Sequence, residues 1–300
     1  MKLFTIRNEK EEFVAVLKKD QKTLIPISAL GLSHKDMNQF ITDATEDEFS
    51  MLKESISLDF LPENVSENCI ALSDAAICAP IPKPNQDVIC LGINYMAHAE
   101  ESARYKAEAF GGERSYPIYF SKRVNQAIGT ECAISSHSSI VDSLDYEAEL
   151  SVIIGKNAFQ IKKEDAYDYV FGYTIINDVS ARNLQTRHKQ WYFGKSLDGF
   201  LPMGPCITTS DEIISPPNLK ICSRVNGELR QNSSTAALIF DIAYVIHELS
   251  QGMTLKAGTV IAMGTPAGVG MGFQPPKWLH PGDVVECEIE KIGILKNTIK

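Results

Sequence analysis

The sequence predicts a β-rich α+β fold, with a small α+β domain over residues 1–78 and a larger domain over residues 79–300. Three observations predict it. Beyond residue 79 the chain is broken into many short apolar runs bounded by glycine and proline, the pattern that strands leave in a sequence. Helical spacing is confined to a few stretches, and the regular βα alternation of a doubly wound sheet is missing. Between the two parts, Ala79-Pro80-Ile81-Pro82-Lys83-Pro84-Asn85 interrupts regular structure, because closely spaced prolines remove donors and bias their neighbours towards extended backbone. Three hundred residues with 44% hydrophobic content are enough to bury a core of that size.

In chain order, short alternating strands are expected around Leu3 to Ile6 and Phe13 to Leu17, followed by an amphipathic stretch through Phe40, Ile41, Ala44, Leu52 and Ile56. Past the prolines, strands are expected at Val88 to Leu91, Ile118 to Phe120, Leu150 to Ile154, Val170 to Ile176, Leu219 to Val225, Val260 to Met263 and Val284 to Ile289. Helices are expected at Lys163 to Tyr169 and at Ile239 to Leu249, which ends before Gly252. A polar, helical stretch opens after Gly92-Ile93-Asn94-Tyr95 and runs to Gly111-Gly112, where the double glycine would permit a hinged lid.

Chemistry concentrates on three carboxylates. In Asp145-Tyr146-Glu147-Ala148-Glu149, strand periodicity puts Glu147 and Glu149 on one face about 6 to 7 Å apart, a gap one cation can bridge. Asp178, in the apolar segment 173–179, could close the triangle. Oxygen-only ligands select Mg²⁺ or Mn²⁺ over zinc and leave roughly half an octahedron for water and a chelating substrate. The alternative is the wet face of an edge strand whose dry face is Tyr146, Ala148, Leu150 and Val152. Against it, the like charges run directly into Val152-Ile153-Ile154, which reads as buried sheet, and carboxylates entering a core need a counter-charge from a metal, a lysine or an arginine.

Other polar groups surround this pattern. His98 and Glu101, three apart on a helix, share a face, and a carboxylate beside an imidazole fixes its tautomer and raises its basicity. Lys195 lies in the turn-rich loop 194–205, where it could meet a substrate carboxylate. Arg182 and Gln185 follow Asp178 closely enough to face the same pocket. Gly264-Thr265-Pro266-Ala267-Gly268-Val269-Gly270 has neither a phosphate-loop ending nor dinucleotide spacing, so Thr265 and its neighbouring amides would hold a small carboxylate or simply turn the chain. Arg187-His188-Lys189-Gln190-Trp191 reads as a solvated loop or an oligomer contact. The formal charge of −9 and the lack of a basic run with interleaved aromatics argue against nucleic acid. No apolar stretch approaches a membrane span and residues 1–7 lack a signal-peptide core, so the cytoplasm is the expected location. Seven cysteines without a Cys-x-x-Cys pair, including Cys90, Cys132, Cys206 and Cys287 beside apolar neighbours, read as reduced core thiols.

Five ordered motifs resemble the fumarylacetoacetate hydrolase family: Gly-x-Asn-Tyr-x-x-His at 92–98, Asp-Tyr-Glu-Ala-Glu-Leu at 145–150, Asn-Asp-Val-Ser-Ala-Arg at 177–182, Gly-Lys-Ser-Leu-Asp at 194–198 and Gly-Thr-Pro-Ala-Gly-Val-Gly at 264–270. The likeness covers roughly Val88 to Ile292 and is nearest to the short bacterial members and the acylpyruvate hydrolase and oxaloacetate decarboxylase branch. It implies a mixed β-sheet roll, usually a homodimer, with Mg²⁺ or Mn²⁺ on Glu147, Glu149 and Asp178. It further implies His98 and Glu101 as a water-activating dyad on a lid, Lys195 facing the bound substrate, and Arg182, Gln185 and Thr265 on the substrate side. One departure is Asn183, where the family usually has aspartate, which puts a pairing of Arg182 with that position in doubt. The expected reaction is cleavage of a carbon–carbon bond in a small 2-oxo acid, by acylpyruvate hydrolysis or oxaloacetate decarboxylation, in which the C1 carboxylate and C2 oxygen chelate the ion and pyruvate enolate is left when the bond to C3 breaks. Alternatives are proton movement without bond breaking, as in isomerases of 2-hydroxyhepta-2,4-diene-1,7-dioate or hydroxymuconate-type acids, and a non-catalytic metal-dependent ligand-binding protein.

Overall fold

The structure, a computed structural model, describes residues 1–9, 11–103 and 115–300. Residues 104–114, the end of the stretch expected to be helical together with the double glycine at 111–112 of the expected lid, lie outside the described residues. The chain begins with a meander, β1 (Lys2–Arg7), β2 (Glu12–Leu17) and β3 (Thr23–Pro26). Then come α1 (Met37–Asp43), α2 (Glu46–Ser55), α3 (Glu63–Ser66), β4 (Ile70–Ala71) and β5 (Ala76–Ile77). The part that carries the motifs runs β6 (Val88–Gly92), α4 (Met96–Ala103), β7 (Ile118–Lys122), β8 (Ala133–Ile134), β9 (Leu144–Asp145), β10 (Ala148–Ile154), β11 (Val170–Asn177) and β12 (Ser180–Ala181). It continues with α5 (Arg182–Arg187), α6 (Tyr192–Lys195), β13 (Met203–Thr209), β14 (Lys220–Val225), β15 (Glu228–Ser234), α7 (Ile242–Ser250), β16 (Val260–Ala262), β17 (Val284–Ile289) and β18 (Gly293–Ile299).

Among the described residues two main sheets hold the molecule together, beside a two-stranded one formed by β9 and β12. The large one runs β4-β3-β2-β1-β13-β11-β10-β16-β6-β7, with β5 also paired to β1, and is antiparallel except where β16 meets β6. The smaller one runs β15-β14-β17-β18-β8. Strand alternation sends Leu150, Val152, Ile154, Tyr173 and Ile175 towards the smaller sheet, where they meet Ile221, Val285, Cys287, Ile289 and Leu295 in one apolar cluster. The opposite face carries Ile153, Ile176, Met203, Ile207 and Val260, covered by Met37, Phe40 and Ile41 of α1 and Leu52 of α2. Phe40 is fully buried there, a placement that stabilises by roughly 1.5–3 kcal/mol relative to exposure. Because β1 pairs with β13, the segments on either side of residue 79 share one sheet.

The helices begin where their caps dictate. Asp36 accepts the Gln39 N–H at α1, Thr45 and Glu48 form a capping box at α2, and Asp241 accepts the Tyr244 N–H at α7. Several expectations are corrected. Lys163–Tyr169 is a 3-10 helix, the stretch 203–209 at the end of the turn-rich loop is a central strand, and Cys132 is exposed. The mixed-sheet architecture is as the sequence indicated.

Candidate metal centre and proton-transfer site

The pairing of β10 with β11 assembles the carboxylates. Ala148 lies opposite Asn177, which puts Glu147 beside Asp178 just beyond both strands. There the Asp178 N–H donates to the Glu147 carbonyl at 2.8 Å, and the Glu147 N–H donates to Asn177 Oδ1 at 3.0 Å. Glu149 leaves the same ladder one step further in. One carboxylate oxygen from each of Glu147, Glu149 and Asp178 lies within 4.8 Å of the others, and the three residues are at most 6% exposed. Burial on this scale removes the edge-strand alternative.

The counter-charges come from elements that sequence separates. Lys195, at the end of α6, donates to Glu147 Oε2 at 2.8 Å and to Asp178 Oδ2 at 2.6 Å, so its ammonium sits among the carboxylates themselves. Lys122, at the end of β7, pairs with Asp178 Oδ1 and donates to the Val179 carbonyl at 3.0 Å. Arg182 reaches Glu147 Oε1 at 2.6 Å and Asp145 Oδ2 at 2.8 Å, and donates to Gln185 Oε1 at 3.0 Å. Burial drives the Glu147 carboxyl up, but Lys195 and Arg182 outweigh it and hold the group well below the usual carboxylate range. The same carboxylates overcome burial at Lys195 and raise its ammonium, whereas at Lys122 burial wins and lowers it. Glu149 differs. Among the described residues it takes a backbone hydrogen bond from the Gly264 N–H at 2.9 Å and no cation, and burial, Asp178 and Glu147 together push its carboxyl well above the ordinary range. Three buried hard-oxygen donors, one of them without an ion-pair contact among the described residues, fit Mg²⁺ or Mn²⁺.

A histidine–glutamate pair stands over the same space. Asn94 fixes the entry to α4 by donating to the Phe240 and Met263 carbonyls at 3.0 and 2.9 Å while accepting the Phe240 N–H at 2.8 Å. On that helix His98 Nδ1 lies 2.9 Å from Glu101 Oε2, and Glu101 Oε1 accepts the Gly268 N–H at 2.9 Å. Facing a carboxylate, Nδ1 carries the proton and Nε2 is the basic nitrogen. His98, Glu147, Glu149, Arg182, Gln185, Lys195 and Thr265 line one small cavity of about 30 Å³.

The amides of the glycine-rich loop serve the protein's own carboxylates: Gly264 binds Glu149, Gly268 binds Glu101, and Gly270 and Met271 bind Asp145. Positive φ at Gly264 and Gly268, +92° and +105°, allows this path. Thr265 lines the cavity, but its hydroxyl donates to the Ala148 carbonyl and accepts from Gln231, both within the protein. Asn183 turns away, its side chain donating to the Ile140 carbonyl at 3.0 Å, so its difference from the family pattern leaves Arg182 paired with Asp145 and Glu147.

Sequence reasoning missed several contributors. Trp191 belongs to the cavity wall rather than a solvated loop: it packs on Gly92, where a Cβ would overlap its ring, and meets Phe120 edge-on at 5.2 Å. Lys122 and Gln231 carried no signal, because Lys122 is a lysine at the end of a short strand and Gln231 lies in a strand that is polar almost throughout. Asp145 was visible in its motif but entered only the edge-strand alternative, on its wet face, whereas it is fully buried.

Comparison with known proteins agrees with this geometry. The family model for the C-terminal part of fumarylacetoacetate (FAA) hydrolase matches residues 87–300. Oxaloacetate tautomerase YisK of Bacillus subtilis (strain 168) is 50% identical over 229 residues, 76% of this chain and 74% of that protein. The solved fumarylacetoacetate hydrolase from psychrophilic Exiguobacterium antarcticum superposes with a TM-score of 0.83 at 36% identity, covering 100% of this chain and 99% of that one. Maleylpyruvate hydrolase from Sphingobium sp. SYK-6, solved with manganese(II) and pyruvate, gives 0.75 at 28% identity, with 100% and 98% covered. With a matching family model across more than two thirds of its length and a 50% identical relative, the chain belongs to the fumarylacetoacetate hydrolase family.

Proposed function

We propose that the chain is a divalent-metal-dependent enzyme acting on small 2-oxo diacids, and that its reaction is proton transfer at C3 of oxaloacetate between the keto and enol forms. The observation that carries this is the shared cavity: two carboxylates of the buried triad, Glu147 and Glu149, and an imidazole held by a carboxylate line the same small space. Glu147, Glu149 and Asp178 would hold Mg²⁺ or Mn²⁺, which when bound supplies Lewis-acid charge to the C1 carboxylate and C2 oxygen of the substrate. Lys195 and Arg182 keep Glu147 ionised and ready to bind. Gln185 accepts from Arg182 through Oε1, so its NH₂ is the donor it presents to a substrate oxygen. His98, with Nδ1 bonded to Glu101, takes the C3 proton on Nε2 and returns it to the enol oxygen or to carbon. The relative named as an oxaloacetate tautomerase supports this choice over bond cleavage.

A second reading, carbon–carbon cleavage with release of pyruvate, is favoured by the neighbour solved with manganese and pyruvate. In it His98 and Glu101 activate water for an acylpyruvate, or oxaloacetate loses carbon dioxide without water attack. A homodimer in the cytoplasm, with residues 1–78 as a small accessory unit, completes the proposal; no helix of the described residues is long and apolar enough to cross a membrane. The test is a substrate panel of enol oxaloacetate, keto oxaloacetate and short acylpyruvates, followed for both enol absorbance and pyruvate, with Mn²⁺ and with chelator. Metal-dependent loss of enol without pyruvate is expected. Metal-dependent pyruvate would move the assignment to the second reading, and no change in any substrate would leave a binding protein.

A further inference from the structure

We infer that Asp145 is a positioning residue for the reaction proposed above, the strut that holds the dyad-bearing helix in register with the carboxylate triad through the glycine-rich loop. The inference rests on that reading of the site.

Asp145 is fully buried and does not line the cavity, yet it joins both halves of the site. On one side its Oδ2 accepts Arg182 Nε at 2.9 Å and lies 2.8 Å from Arg182 Nη2, which is itself 2.6 Å from Glu147 Oε1. On the other, its Oδ1 accepts the Gly270 N–H at 2.7 Å and its Oδ2 the Met271 N–H at 3.0 Å. Two residues before that turn, the Gly268 N–H holds Glu101. One residue after it, Gly272 packs so closely on the Glu101 carboxylate that a Cβ there would overlap it. The first residue of the loop, Gly264, holds Glu149. The loop therefore touches the triad at Gly264 and the dyad at Gly268 and Gly272, and Asp145 fixes the turn between the two dyad contacts.

Only an ionised carboxylate can satisfy this arrangement, because every group around it donates. In Asp145→Asn one side of the amide presents NH₂ to donors. With NH₂ at Oδ1 the Gly270 amide loses its acceptor, and with NH₂ at Oδ2 the Met271 amide and the Arg182 guanidinium lose theirs.

The test compares wild type, Asp145→Asn, Glu101→Gln and the double variant by turnover and by backbone amide exchange. Asp145→Asn is expected to lower kcat by roughly 10- to 100-fold, and to speed exchange in 264–272 and 96–103 while β10 and β11 keep their protection. The double variant should be no slower than the slower single one, because both act through the docked Glu101. Losses that multiply, or loop and helix protection unchanged in Asp145→Asn, would overturn the strut. If wild type turns over none of the 2-oxo acids, the functional reading fails while the exchange comparison still decides the inference. Should Asp145→Asn not fold, Gly272→Ala displaces Glu101 and leaves Asp145 intact. Faster exchange at 268–271 as well as in α4 is expected there, and unchanged protection at 268–271 would overturn the coupling.

Discussion

Four buried carboxylates, Asp145, Glu147, Glu149 and Asp178, meet three cations, Lys122, Arg182 and Lys195, and the charge left over rests on Glu149. In the metal-free protein this residue is therefore a cost. Glu149→Gln keeps the volume and the acceptor for Gly264 while removing the charge. The thermal midpoint in chelator should rise by several degrees, corresponding to roughly 1–3 kcal/mol of relieved desolvation. The same variant should show no Mn²⁺-induced rise and no metal-dependent turnover; an unchanged Mn²⁺ response would remove Glu149 from the ligand set. The sign with pH follows. Because the folded carboxyl titrates above its unfolded value, its contribution to metal-free stability is complete below the ordinary carboxylate range and is lost as pH rises through the raised value. A cation binds the ionised form, so the Mn²⁺-induced rise in midpoint should grow over that interval, and a rise that shrank with pH would contradict it.

At the scale of elements, the glycine-rich loop and the strand behind it do the positioning. Gln231 on β15 accepts from the Ala148 N–H at 3.1 Å and from Ser223 Oγ at 2.8 Å, and donates to Thr265 Oγ1 and the Pro266 carbonyl at 2.7 Å each. Gln231→Leu would leave several buried groups without partners. We expect a loss on the order of 3 kcal/mol, read by denaturant unfolding, and a shift within half a kcal/mol would show that the network is dispensable. Gln231 also marks where the sequence stops being legible. The runs 88–91, 150–154 and 170–176 are mostly apolar and rich in β-branched and aromatic residues, so their strands could be read, and with them the ladder that gathers Glu147, Glu149 and Asp178. Strands β13, β15 and β18 could not, because β13 begins Met-Gly-Pro inside a loop-like composition and β15 is Glu-Leu-Arg-Gln-Asn-Ser-Ser, polar on both faces. Their pairing comes from long-range partners that local composition does not record. Lys122 and Trp191 were hidden for the same reason, since their roles depend on Asp178 and Gly92 far along the chain.

For the whole molecule, the cavity is a product of sheet continuity. The N-terminal β1 extends the large sheet past β13, and α1 and α2 cover the face that carries Ile153 and Ile176, the strands on which Glu149 and Asp178 depend. Residues 79–300 alone should therefore lose cooperative thermal unfolding, and a stable, metal-binding fragment would show that the N-terminal segment is only an attachment. The family was legible because its motifs are the residues that meet at the cavity. The reaction was not, since proton transfer, decarboxylation and hydrolysis all use a cation beside a base and differ in what the cavity admits. The most direct measurement is the rate at which enol oxaloacetate disappears with wild type and with His98→Ala, each in Mn²⁺ and in chelator. A rate above buffer that requires Mn²⁺ and falls roughly 10²- to 10⁴-fold in His98→Ala, with Mn²⁺ binding retained, is the predicted result. A rate indifferent to Mn²⁺, or equal in the two proteins, would contradict a shared metal and proton-transfer site.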